Sequence, residues 1–358
     1  MNLALVLWRG DLGGAERFTA GLAVQLGTMG VVPTVVFIGP DRPLSTLLER
    51  DGIEYRSLDL ARGSSVVWHP KKLADVVGTV GWGGAILDSL GYVGVTLRAH
   101  GYTAPIVSVE HGALVEAGLS LRKRLVRFAT RQCGAWAADV EVAVSDFMLR
   151  ELLRHRHARQ VVRIHNGVDL TELAPRGTGP RDAFTLGWAG RMVWGKGLPD
   201  LLQAAAILAR RMPVEVRLAG DGPNRAAVAE LASRLKITDA VVFAGEVLDM
   251  AAFWSECDAA VFPTNGLLES FGLAAVEAMA CGLPVVASRA GGFTEVVKAG
   301  TTGTLVDPGD VAGLVTALTV YALDPQLRID HGRNARRECE TRFDLANAAR
   351  RYRALFEH

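Results

Sequence analysis

The sequence predicts an α/β protein made of two doubly wound parallel sheets. Three observations carry that prediction. Short, wholly apolar runs alternate with helix-length segments, the pattern restarts after a polar, proline-bearing stretch, and 358 residues exceed the ordinary size of one domain. Parallel strands covered on both faces read as continuous Val, Ile and Leu runs rather than as alternating ones.

In the first half such runs lie at 3–7, 33–38, 53–58, 85–88, 106–109, 140–144 and 161–164. Residues 171–181 (TELAPRGTGPR) have the composition of a linker. Further strands are expected at 184–189, 214–219, 240–243, 258–262 and 284–287, with helices at 198–211 and 224–235. At the end, Leu345, Ala348, Ala349, Tyr352, Leu355 and Phe356 recur at helical spacing, so 344–357 reads as an amphipathic helix. The expected division sets 1–170, with a terminal helix at 342–358, against 171–341. Ligands of such sheets bind in the crevice beyond the carboxyl ends of the strands.

Composition removes other classes. Thirty-nine basic and 38 acidic side chains leave a net charge of +1, unlike a nucleic-acid coat or an acidic tail. Cys133, Cys257, Cys281 and Cys339 are far apart, which suits buried reduced thiols rather than a disulfide framework or a zinc cluster. Residues 2–8 lack a basic leader and read as a strand, and no apolar run reaches the length of a membrane span. The expectation is a cytoplasmic protein, and the 33 Arg against 6 Lys suggest a GC-rich bacterial genome.

Four segments carry chemistry. After the first strand, 9–17 (RGDLGGAER) places Gly13 and Gly14 where backbone N–H groups and a helix N-terminus suit an anion, or where glycine merely permits a tight turn. Residues 187–197 (GWAGRMVWGKG) set Arg191 and Lys196 on a glycine-rich loop, suited to a diphosphate or simply solvated. In 263–280, Glu269 and Glu277 flank the run SFGLAAV. A carboxylate among Ala, Val and Met needs a partner, and Glu269 precedes the N–H groups of Phe271, Gly272 and Leu273 at a helix start. His111 follows the fifth strand in VEHG, as a site residue or a plain core histidine. No complete G-x-G-x-x-G, P-loop or D-x-D occurs.

The E-x7-E spacing of Glu269 and Glu277, the G-R-x4-K-G loop, GGAER and HNGVD (165–169) together resemble the GT-B glycosyltransferases of family 4. LAGDGP (218–223), VSDF (144–147) and ACGLPVVAS (280–288) fit the same family, in order over nearly the whole length. The resemblance implies two Rossmann-like domains facing a central cleft, with the last helix crossing back to the first. It implies a retaining transfer from a nucleoside-diphosphate sugar, with the donor on the second domain and a hydroxyl acceptor on the first. Glu277 would hold the ribose and Glu269 the donor sugar, beside the amides of Phe271, Gly272 and Leu273. Arg191 and Lys196 would hold the diphosphate, Gly13 and Gly14 would approach it, and the base would pack near Gly245. His111 would orient a sugar hydroxyl. No metal and no cofactor beyond the sugar nucleotide are expected, and a front-face mechanism follows because no positioned nucleophile is evident. A sugar-nucleotide epimerase of the same build and a non-catalytic binding protein are the alternatives.

One segment points to a surface. In 119–131 (LSLRKRLVRFATR), Leu121, Leu125 and Phe128 share one helical face, with Lys123, Arg127 and Arg131 on another. Arg122 and Arg124 add to a local excess of basic residues, so the helix either rests peripherally on an anionic membrane or is a packing helix with solvated cations.

Overall fold

The computed structural model describes the chain except residues 42, 61–71, 74–75, 77–80, 112–131, 133, 155–158, 177–180, 266–268 and 358. The basic segment, with Arg122, Lys123, Arg124, Arg127 and Arg131, lies outside the described residues, as does Cys133. Two compact units form: Met1–Asn166 with Leu345–His358, and Gly167–Asp344.

The first unit holds seven parallel strands: β1 (Asn2–Leu7), β2 (Val32–Phe37), β3 (Glu54–Ser57), β4 (Gly84–Asp88), β5 (Ile106–Glu110), β6 (Val140–Ala143) and β7 (Gln160–Arg163). Their order is β3-β2-β1-β4-β5-β6-β7, and the central β1 is buried from Leu3 to Leu7. Helix Gly14–Thr28 buries Phe18, Leu22 and Leu26, one residue per turn. The final helix, Leu345–Ala354, returns to this unit and packs on it, burying Leu345, Ala348, Ala349 and Tyr352. Gly21 permits that approach, since a Cβ there would stand 2.7 Å from a methyl of Leu345.

The second unit holds β8 (Phe184–Ala189), β9 (Val214–Ala219), β10 (Val241–Gly245), β11 (Ala259–Phe262), β12 (Val285–Ser288) and β13 (Gly303–Val306), in the order β10-β9-β8-β11-β12-β13. Its strands too are all parallel. β13 is an element the apolar-run reading did not find: GTLV is short and opens on glycine and threonine. Arg336 ties the start of this unit to its helices by donating to the carbonyls of Leu170, Leu173 and Ala280. Cys257, Cys281 and Cys339 are free and buried, and burial pushes the first two thiols up to about 12. Among the described residues no helix is long and apolar enough to cross a membrane.

Candidate functional site

In each sheet the chain leaves the centre in one direction and later resumes on the other side. That reversal opens a crevice at the carboxyl ends of two neighbouring strands, where ligands of open α/β sheets bind. The neighbours are β8 and β11 in the second unit and β1 and β4 in the first.

The loop after β8 carries Arg191 and Lys196, and neighbouring loops hold it rigidly. Met192 N–H donates to the Asp221 carbonyl at 2.8 Å, and Asn224 N–H to the Met192 carbonyl at 3.1 Å. A Cβ at Gly222 would stand 2.6 Å from the Met192 backbone. Gly197 has φ +75°, and a Cβ there would stand 1.7 Å from the Pro263 carbonyl oxygen, so only glycine closes this turn against the strand β11 exit. Gly220 N–H donates to the Gly245 carbonyl at 2.6 Å, which draws the end of β10 to the same loop cluster.

Glu269 is the centre of this cluster. Its Oε2 lies 2.5 Å from Lys196 Nζ, and its Oε1 accepts the Gly272 N–H at 3.1 Å. Gly292 N–H donates to its carbonyl at 2.9 Å. Gly272 (φ +97°) starts helix Leu273–Ala280, so Glu269 occupies one amide that the sequence reading left open to a ligand. Leu273 and Phe271 are buried, the latter edge-on to Phe343, and Glu277 is buried in the second turn of the helix. Arg191 is exposed, and among the described residues it has no ion-pair partner. A primed cation and a carboxylate that holds it thus sit beside a helix N-terminus.

In the first unit, Gly13 caps helix Gly14–Thr28 with extended backbone, and a Cβ there would stand 2.4 Å from a Glu16 carboxylate oxygen. Glu16 therefore lies over the same helix start that the sequence offers to an anion. Gly10 is pressed against the Asp41 carbonyl, where a Cβ would stand 1.8 Å away.

His111, just past β5, is walled in. Its Nε2 faces Asp88 Oδ1 at 3.8 Å, and its Nδ1 lies 3.3 Å from Asn166 Nδ2. Its backbone N–H donates to Ser89 Oγ at 3.3 Å, and its ring packs on Phe18 at 5.8 Å. Phe18 in turn packs on Tyr352 of the final helix at 5.9 Å. Ser89 has φ +52°, a left-handed conformation that costs a serine about 1 kcal/mol and that tends to be kept at functional sites. Burial holds the His111 ring down at about 4, with the nearby Glu110 charge opposing. Burial raises the Asp88 carboxyl to about 7, helped by Glu110 and opposed by a hydrogen bond from Ser89. The ring is neutral at physiological pH.

Lys196, Glu269 and Gly272 are therefore in direct contact, with Arg191 and Gly245 on the loops woven around them. His111 and the Gly13–Gly14 turn belong to the other unit. The sequence reading does not assign Asp88, Ser89, Asn166 or Tyr352 to a site: Tyr352 reads only as an apolar position of the terminal helix and Asp88 only as the end of a strand. Asn166 was visible only as part of HNGVD, and a lone aspartate in ILDSL carries no spacing signal.

Comparison with known proteins bears on the family and the fold. Residues 183–324 match the family described as Glycosyl transferases group 1, and residues 12–172 match Glycosyltransferase Family 4. A D-inositol 3-phosphate glycosyltransferase of Catenulispora acidiphila is 39% identical over 226 residues, covering 56% of this chain and 51% of that protein. An N-acetyl-α-D-glucosaminyl L-malate synthase of Bacillus anthracis is 31% identical over 161 residues, covering 45% and 42%. The chain thus spans about half the length of the curated relatives it matches. In solved structures, HepE of Anabaena, crystallised with UDP and glucose, superposes with a TM-score of 0.86 at 24% identity over 99% of each chain. Sucrose-phosphate synthase of Thermosynechococcus elongatus superposes with a TM-score of 0.82 at 23% identity, again over 99% of each. The two family matches together take in most of the sequence, both sheets have the parallel, doubly wound order, and the chain belongs to the group 1 glycosyltransferases of family 4, with the GT-B fold.

Proposed function

We propose that the protein transfers a sugar from a nucleoside diphosphate to an acceptor hydroxyl with retention of anomeric configuration. The observation that carries this reading is the contact between Lys196 and Glu269 at the switch point of the second sheet, with Glu269 also accepting the Gly272 N–H. Donor binding would draw Lys196 to the diphosphate and free Glu269 for sugar hydroxyls, while Glu277 takes the ribose. Arg191 supplies a second cation. UDP is the first nucleotide to test, because HepE has been crystallised with UDP-glucose.

In the reaction the bond from the anomeric carbon to the diphosphate breaks, and the acceptor oxygen attacks from the same face. The departing diphosphate takes the acceptor's proton. Charge collects on that leaving group, so a guanidinium, an ammonium and helix N–H groups fixed beforehand lower the barrier without a divalent ion. His111, neutral, orients a sugar hydroxyl. The acceptor is a glycolipid, polysaccharide or secondary metabolite bound to the first unit.

The test is a pair of substitutions read by release of nucleoside diphosphate. Glu269→Ala should abolish transfer, and Lys196→Ala should raise the donor KM and lower kcat by about 10²-fold, the scale for losing one fixed electrostatic group. Wild-type turnover in either variant overturns the assignment.

A further inference from the structure

Asn166 is held in an unusual way. It is 3% exposed, and its Oδ1 is buried with no hydrogen-bond partner among the described residues. An unsatisfied buried carbonyl is destabilising, so a purely structural asparagine is a poor choice there. The amide's other end supplies the reason. An amide nitrogen only donates, so Nδ2 at 3.3 Å requires a lone pair on His111 Nδ1. A neutral imidazole has a single N–H, which then sits on Nε2, the nitrogen that faces Asp88 at 3.8 Å.

That separation exceeds a direct hydrogen bond and matches the span of two groups bridged by one oxygen. An N–H beside a carboxyl oxygen complements a hydroxyl, which accepts from the first and donates to the second. Both side chains keep about a tenth of their surface exposed, 11% and 10%. The backbone under them is fixed by Ser89, whose left-handed conformation places Oγ against the His111 N–H.

Resting on the glycosyl-transfer reading, we propose that Asn166 is a positioning residue that fixes His111 as the Nε2–H tautomer, so that His111 and Asp88 together read one sugar hydroxyl. Nitrogen-15 NMR of the imidazole signals in the full, ligand-free chain tests the tautomer directly. The chain has eight histidines, and the His111 signal is the one lost in His111→Asn. The wild type at neutral pH should show a protonated Nε2 and an unprotonated Nδ1. Asn166→Ala should give a mixture of tautomers, and Asn166→Asp should move the proton to Nδ1. In turnover, Asn166→Ala should lower kcat about tenfold with the donor KM changed less than about twofold, the signature of a group that acts in the transition state. A wild-type Nδ1–H, or an Asn166→Ala variant that keeps the pure Nε2–H form and wild-type kcat, overturns the proposal. If the wild type turns over no sugar nucleotide, the transfer reading fails, and the tautomer measurement still decides the role of Asn166.

Discussion

Replacing Asp88 by asparagine removes a buried charge while keeping the shape of the side chain. An ordinary aspartate titrates near 3.8, whereas burial raises this one to about 7. At about 1.4 kcal/mol per pH unit, ionising it costs the folded protein on the order of 4 kcal/mol. Because the folded value is raised, the folded state holds the extra proton between those limits, and stability falls as pH rises through them. His111 runs the other way: its folded value is lowered from 6.5 to about 4, so the unfolded chain takes up the proton first and stability rises with pH. The two slopes offset each other in the wild type. Asp88→Asn removes the first slope and leaves the second. Urea unfolding, followed by hydrogen exchange in β4 and β5 at a series of pH values, reads the difference. The variant should match the wild type near about pH 4 and exceed it by on the order of 3–4 kcal/mol at about pH 8. A difference that does not change with pH, or a variant less stable at high pH, refutes the picture of a carboxyl penalised by burial.

Two further outcomes are open to simple measurement. Gly197→Ala forces a Cβ into the Pro263 carbonyl at positive φ. It should destabilise the second unit by well over about 1 kcal/mol in a thermal melt, and an unchanged Tm would contradict the loop geometry. If residues 119–131 rest on an anionic membrane, the protein should co-sediment with vesicles rich in anionic phospholipid and be released by salt. No co-sedimentation at low salt would remove that reading.

Much of the fold was legible because parallel strands announce themselves. VVF and AIL are apolar on both faces because central parallel strands are buried on both faces, whereas VSVE sets Val107 and Val109 on one face and the buried polar Ser108 and Glu110 on the other. β13 was missed for the converse reason: its residues Thr304 and Leu305 are only half-buried at the sheet edge, so no apolar run marks it. The second-unit cluster was legible because its residues fall on two short loops with glycines at fixed spacing. Asp88, His111 and Asn166 lie at or just past the ends of β4, β5 and β7, segments that meet only once β4, β5, β6 and β7 pair side by side, and no local pattern encodes such a meeting. The left-handed Ser89 was equally invisible, since a serine in ILDSL carries no mark of its φ angle.

The central claim is sugar transfer from a nucleoside diphosphate. It is tested most directly by incubating the protein with a panel of sugar nucleotides, UDP-glucose first, and hydroxyl acceptors in the presence of EDTA. Nucleoside diphosphate and glycosylated product are then quantified together. The account predicts equal amounts of both, unaffected by the chelator, with the anomeric configuration of the donor kept in the product. A sugar altered in the absence of acceptor, donor binding without release of nucleoside diphosphate, or activity lost to EDTA and restored by Mg²⁺ would contradict it.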